Sequence, residues 1–113
     1  MQDGDIYMIE FPSTGGHEQA GLRPAIIVQT LGIEKVPTIL IVPFTSKIKA
    51  ADFPFTLIVE PDQTNNLTIT SVALVFQLRA IDRKRLKNKI GKMEQLNLGL
   101  LKRTLKEMMG LEQ

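Results

Sequence analysis

Short runs of apolar and β-branched residues alternate with turn-forming residues over most of the chain. The runs cover residues 5–11, 24–30, 38–45, 55–60 and 71–81, and they contain the residue types that favour strands. Gly, Pro, Asp and Asn separate several of them, and these residues favour turns. Consecutive short strands of this kind predict an antiparallel sheet that curls on itself.

The C-terminal part changes to helical spacing. Over residues 94–111, leucine or methionine recurs at steps of three and four, at Leu98, Leu101, Leu105 and Met108. This spacing predicts an amphipathic helix, and Gly110 is a suitable stop. The helix should pack against the sheet.

These elements predict one domain over residues 1–113, a small open barrel with a helix on it. The runs 25–28 and 39–42 are apolar at every position, so both faces of these strands require cover. One face would bury the core, and the other would need the helix or a second subunit. A homodimer is therefore expected.

Composition limits the class of protein. The 113 residues are 43% hydrophobic and 23% charged, which is ordinary for a single globular domain. The chain has no cysteine, so disulfides and thiolate metal sites are excluded. No run of about 20 apolar residues occurs, and the first residues lack the pattern of a signal peptide. We expect a cytoplasmic protein that does not enter membranes.

Charge is distributed unevenly. Residues 1–82 carry 5 basic and 9 acidic side chains, whereas residues 83–113 carry 9 basic and 3 acidic ones. Asp82 can cap a short helix that starts at Arg83 and that Gly91 would break. The segment 83–92 holds six basic residues and no acid. It is either a solvated basic helix face or a surface that attracts a polyanion.

Several catalytic chemistries lack their motifs. There is no G-x-S-x-G nucleophile elbow, no Walker A motif and no G-x-G-x-x-G. With one histidine and scattered acidic residues, a metal centre is also not indicated. A site without metal or cofactor remains, made of arginine, hydroxyl groups and an acid or the histidine.

Arg23 is the first candidate for such a site. It follows a loop over residues 12–22 and precedes Pro24, which biases the arginine backbone towards an extended conformation. A guanidinium group offers a planar fork of donors that matches phosphate oxygens. The alternative is that Arg23 pairs with Glu18 across the loop.

Hydroxyl groups at a strand end form the second candidate. Thr45 and Ser46 follow an apolar run and precede Lys47 and Lys49. They would contact phosphate, or they would cap the strand in a Ser/Thr turn. An arginine with hydroxyls suits cleavage of RNA by its own 2′-OH, because the protein then supplies neither nucleophile nor metal.

Four segments in this order resemble the MazF/PemK family of toxin–antitoxin endoribonucleases. They read GDIYMIEF, GHEQAGLRPAIIV, TILIVPFTSKIK and SVALVFQLRAIDRKRLKNKIGKM, and the similarity runs from about residue 4 to 111. The resemblance implies an α+β fold, mainly β with helices: a small SH3-like antiparallel barrel with a C-terminal helix, as in MazF and CcdB. It further implies homodimers that cut single-stranded RNA, with mRNA as the expected target, at short sequences and without metal. The products would be a 2′,3′-cyclic phosphate and a 5′-OH. An antitoxin protein is the implied partner, and DNA would be contacted only through it.

The resemblance also implies roles for individual residues. Arg23 and Thr45 match the catalytic positions. The implied RNA-binding and supporting residues are His17, Glu18, Gln19, Ser46, Gln77 and Arg79. Where the family usually has an acid, this chain has Phe76, whose ring would either stack on an unpaired base or lie in the core with Leu74 and Leu78.

Two other functions remain open at this stage. A non-catalytic toxin of the same fold, as CcdB is, would act on DNA gyrase. An RNA-binding module would keep the groove but would have lost catalysis, and the replacement of the acid by Phe76 keeps this alternative open.

Overall fold

A curled antiparallel sheet packs against one C-terminal helix in the computed structural model, which describes residues 1–12 and 21–111. Its strands are β1 (Asp5–Phe11), β2 (Gly21–Ile27), β3 (Thr38–Thr45), β4 (Thr56–Val59), β5 (Ser71–Leu74), β6 (Arg79–Asp82) and β7 (Leu86–Lys92). Helix α1 spans Gln95–Met109, and short 3-10 helices cover Ile48–Asp52, Val75–Gln77 and Arg83–Arg85. The strand order is β4-β5-β3-β2-β1-β7, with β6 also paired to β3. The predicted fold class is confirmed.

Both faces of the central strands are buried within one chain. Ile26 and Val42 belong to an apolar cluster that includes Leu101 of α1, whereas Ile27 and Ile41 belong to a second cluster on the opposite face. The curl of the sheet lets one chain cover both faces. The burial of these strands therefore does not itself require a second subunit, and the homodimer stays a prediction.

Helix α1 confirms the predicted amphipathic helix. Leu98, Leu101 and Leu105 are buried against the sheet. Gly110 follows in the left-handed conformation, with φ of 71°, and lets the N–H of Leu111 donate to a carbonyl one turn back. Among the described residues, no helix has the length and apolar character needed to cross a membrane.

The predicted strand over 71–81 is wrong, because it is interrupted. Along one edge of β3, Thr45 lies opposite Val72 of β5, and Ile41 lies opposite Arg79 of β6. The register differs by three residues between these ladders, and the 3-10 turn Val75–Gln77 takes up the difference. Residue preferences do not encode a cross-strand register, so the apolar run concealed this interruption.

The predicted helix up to Gly91 is wrong beyond its first turn. Asp82 caps that turn as expected, since its Oδ1 accepts the N–H of Lys84 at 2.8 Å. The chain then continues as β7, which pairs with β1. A Cβ at position 91 would lie 2.5 Å from the carbonyl oxygens of Thr64 and Asn65. The glycine therefore permits a close backbone approach and does not end a helix.

Candidate active site at the ends of β2 and β3

Arg23 lies inside a strand and not in the loop before it. β2 begins at Gly21, and Arg23 is opposite Ile9 of β1. Pro24 is tolerated there because the pairing between β2 and β3 starts only at Ala25, so this strand position has no β3 partner. The expected rigid placement of the arginine is thus achieved by the ladder with β1.

Thr45 is the last residue of β3 and is only 3% exposed. Its Oγ1 accepts the N–H of Lys47 at 3.2 Å, so the hydroxyl does cap the strand end, as the alternative interpretation held. This bond engages a lone pair of the oxygen and not its hydrogen. Ala25 lies opposite Pro43 at the end of the β2–β3 ladder, two residues from Arg23 on one strand and two from Thr45 on the other.

One cleft brings the predicted catalytic residues together. It has a volume of about 210 Å³, and its lining is Leu22, Arg23, Pro24, Phe44, Thr45, Ser46, Leu67, Thr68, Ile69 and Ser71. Arg23, Thr45 and Ser46 therefore share a cleft, as the sequence predicted. A guanidinium group beside several hydroxyls forms a set of donors for an anion.

Ser71 belongs to this cleft and was missed from the sequence. It starts β5, is 3% exposed, and donates from Oγ to the carbonyl of Ile69 at 2.9 Å. A serine before an apolar run indicates only a strand boundary. Its proximity to Thr45 depends on the pairing of β5 with β3, which residue spacing does not reveal.

A second cleft lies on the other side of Thr45. It has a volume of about 520 Å³ and is lined by Thr45, Lys47, Ala50, Phe53, Leu74, Phe76 and Gln77. Gln77 thus joins Thr45 through this cleft, as expected for a supporting residue. The expectation that Phe76 lies in the core is wrong: it is on a 3-10 turn and 38% exposed, because strand alternation stops at Leu74.

The other predicted residues are distributed differently. The guanidinium carbon of Arg79 lies 5.5 Å from the ring centroid of Phe11, a cation–π distance. Arg79 and Gln77 line a narrow crease beside Pro43, and Arg79 lines neither cleft around Thr45. His17, Glu18 and Gln19 lie outside the described residues, as does the proposed pair of Arg23 with Glu18.

The basic segment 83–92 forms a turn and a strand, so the prediction of a basic helix face is wrong. At least three of its cations bind within the chain: Arg83 to the carbonyls of Ile33 and Val36, Lys87 to Glu10 at 3.6 Å, and Lys89 to Asp5 at 3.3 Å. These side chains hold the segment to the sheet and to the loop before β3. Attraction of a polyanion by this segment stays a prediction.

Within residues 1–12 and 21–111, no group of three or more His, Cys, Asp or Glu side chains is placed to hold a metal ion. The donors around Thr45 are a cation, hydroxyls and an amide, which suit an anionic substrate.

Comparison with known proteins places this chain in a family. Residues 2–109 match the family described as the PemK-like, MazF-like toxin of type II toxin–antitoxin systems. The chain belongs to that family. Endoribonuclease MazF from Staphylococcus saprophyticus is 34% identical over 91 residues, which cover 80% of this chain and 75% of the relative.

Solved structures show the same fold. MazF (Form-I) from Deinococcus radiodurans superposes with a TM-score of 0.80 at 24% identity, over 97% of this chain and 96% of that one. An endoribonuclease from a mycobacterial species, solved with its cognate antitoxin, gives a TM-score of 0.76 at 15% identity, over 100% and 98% of the two chains. At these identities the comparison establishes the fold.

Proposed function

We propose that this protein is a metal-independent endoribonuclease that cuts single-stranded RNA, and that it is the toxin of a toxin–antitoxin pair. The observation that carries the proposal is the placement of Arg23 and Thr45 in one cleft. Membership of the family and the name of the staphylococcal relative support the same activity. mRNA is the expected substrate, cut at short sequences.

The proposed reaction uses the RNA's own 2′-OH as nucleophile. A bond forms between O2′ and phosphorus while the bond from phosphorus to O5′ breaks. The 2′-OH loses its proton and the departing O5′ gains one, which yields a 2′,3′-cyclic phosphate and a 5′-OH. Extra negative charge develops on the non-bridging oxygens, and a preorganised cation there lowers the barrier.

Arg23 would stabilise that charge, because its guanidinium group stays protonated and presents two parallel N–H donors. Thr45 would hydrogen-bond the scissile phosphate, with Ser46 in support. Ser71 lines the same cleft, and its hydroxyl hydrogen is donated to the carbonyl of Ile69, so it shapes the cleft wall and is not assigned as a donor to the phosphate. These roles require no metal ligand.

Other residues would hold the RNA on either side. Gln77 lies across Thr45 from the first cleft, and Arg79 continues along the same edge of β3. His17, Glu18 and Gln19 would line the site from the loop. An antitoxin would block this groove with an acidic segment that folds on binding, and a homodimer would form the complete groove.

The decisive experiment incubates the purified protein with a long RNA of mixed sequence in the presence of EDTA, and maps the cut ends. We expect cleavage that persists with EDTA and stops when the nucleotide 5′ to the cut carries a 2′-deoxyribose. Cleavage of the deoxy substrate would contradict attack by the 2′-OH. Binding of RNA without cleavage would indicate a non-catalytic module, and inhibition of supercoiling by DNA gyrase would indicate a toxin of the other class.

A further inference from the structure

Two phenylalanine rings form a corner beside Thr45. The ring centroids of Phe53 and Phe76 are 5.4 Å apart, and the ring planes meet at 61° in an edge-to-face arrangement. Phe53 is 60% exposed and Phe76 is 38% exposed. Each ring therefore keeps a surface that the chain itself does not cover.

Hydrogen bonds fix the backbone segments that carry both rings. The N–H of Phe76 donates to the carbonyl of Phe55 at 3.2 Å. The N–H of Phe53 donates to the carbonyl of Ala50 at 3.1 Å, and the carbonyl of Phe53 accepts from the hydroxyl of Thr56 at 3.0 Å. The corner is thus preformed, and a ligand that enters it has little ordering cost to overcome.

The corner opens into the second cleft. That cleft adjoins the place where the phosphate is proposed to bind. Thr45 lines both clefts, while Lys47 and Gln77 line the second one. A nucleotide whose phosphate lies at Thr45 would place a neighbouring base near the rings. Lys47 is an exposed cation that can follow the RNA backbone, and the amide of Gln77 can both donate to and accept from a base edge.

We propose that the corner of Phe53 and Phe76 binds an unpaired nucleobase of the nucleotide next to the scissile phosphate. The proposal rests on the proposed function. A base would lie on the face of one ring and against the edge of the other. Every base has a π face, so stacking gives affinity with little selectivity, and Gln77 supplies the hydrogen bonds that discriminate between bases.

The charge and polarity of the cleft favour RNA over a protein as the occupant. An apolar protein segment would need only the apolar surface of the two rings. Here the rings adjoin a cation, an amide and the hydroxyl that lies in the proposed catalytic cleft. That combination matches the base, backbone and phosphate of one nucleotide strand.

The test compares Phe53→Leu with Phe55→Leu, an exposed phenylalanine from the same segment whose side chain does not line the cleft. Phe55→Leu keeps the backbone carbonyl that accepts the N–H of Phe76. Each variant is assayed on a cleaved oligonucleotide and on versions with an abasic ribose at each position around the cut. We expect Phe53→Leu to lower kcat/KM roughly 5- to 100-fold on intact RNA, as loss of base–aromatic stacking does. On the RNA that lacks the stacked base, the same variant should cause little further loss. Phe55→Leu should change neither value.

A second variant gives a reading that does not need cleavage. The chain has no tryptophan, so Phe53→Trp introduces a single indole fluorophore into the corner. Single-stranded RNA should quench its emission, and an abasic ribose at the same position should relieve the quenching. Circular dichroism of each variant verifies folding.

The outcomes separate this inference from the proposed function. The base-binding corner alone is overturned by two results together. RNA is cleaved but the effect of Phe53→Leu is the same at every abasic position, and RNA does not quench the indole emission of the Phe53→Trp variant. Quenching without cleavage supports the corner and overturns catalysis. If Phe53→Leu instead shifts the sedimentation of the protein and no abasic position matters, the corner is a contact between protein chains and the inference is wrong.

Discussion

The backbone of Arg23 determines where its side chain begins. Its pairing with β1 and the restriction from Pro24 both keep that backbone extended. A guanidinium group on a rigid strand loses less freedom when it binds a phosphate than one on a mobile loop.

At this scale we expect Arg23→Ala to lower the rate of RNA cleavage by about 10²- to 10³-fold, since one preorganised charge-stabilising donor is lost. Arg103→Ala, on the exposed side of α1, removes the same group far from Thr45 in sequence and should cleave normally. Rates are measured with excess enzyme, and circular dichroism confirms folding. Cleavage at the wild-type rate by the Arg23 variant would contradict the proposal that Arg23 stabilises charge on the phosphate.

Thr45 provides a second prediction at the residue scale. Thr45→Val keeps the volume of a buried side chain but removes the hydroxyl, whereas Thr45→Ser keeps the hydroxyl. We expect Thr45→Val to cut roughly 10- to 100-fold more slowly, as befits the loss of a hydrogen bond to a charged group. Thr45→Ser should retain most activity. Equal rates for the two variants would show that the hydroxyl does not act on the phosphate.

Sequence reasoning found residues whose function has a local signal. Arg23 precedes a proline, and Thr45 ends an apolar run, so both could be selected from their neighbours in the chain. Ser71 and Phe53 could not, because their place beside Thr45 depends on pairings and turns between distant segments. Nothing in the residues around position 53 indicates that its ring meets Phe76.

At the scale of elements, strand bounds were predictable where the ends carry a signal. β1 has the predicted bounds and is followed by Pro12. β3 also begins and ends at the predicted residues. The interruption at Val75–Gln77 was not predictable, because it is a property of two ladders on β3 and not of the segment itself. The strand β7 was mistaken for helix for a related reason: its lysines pair with acids on other segments, which local periodicity does not show.

Gly91 yields a prediction about an element. Gly91→Ala should lower the free energy of unfolding by about 1–3 kcal/mol, because the added Cβ collides with a backbone turn that must shift. Gly99→Ala is the matched control, since no atom beyond its chain neighbours and the adjacent backbone of α1 lies within 4 Å of its Cβ position. That variant should gain about 0.5–1 kcal/mol from helix propensity. Urea unfolding measures both, and destabilisation by Gly99→Ala or none by Gly91→Ala would contradict the packing described.

For the whole molecule, the family membership predicts a homodimer, although the core does not demand one. The exposed apolar residues Leu31, 84% exposed, and Leu96, 71% exposed, show that apolar surface remains outside the core. Sedimentation at micromolar concentration should give a species of twice the chain mass. A single species of 12.7 kDa would contradict the prediction.

The three residues Val75–Gln77 have a consequence for how this protein can evolve. Both neighbouring strands are anchored separately to β3, so the turn between them can change its exposed side chains while the sheet keeps its pairing. Substitutions at positions 76 and 77 are therefore expected to leave the pairing of the sheet unchanged. Randomising these two positions should give many folded proteins that differ in the RNA sequences they choose. Under the proposed function, new cleavage preferences would then arise in a few mutational steps, without a prior gain in stability.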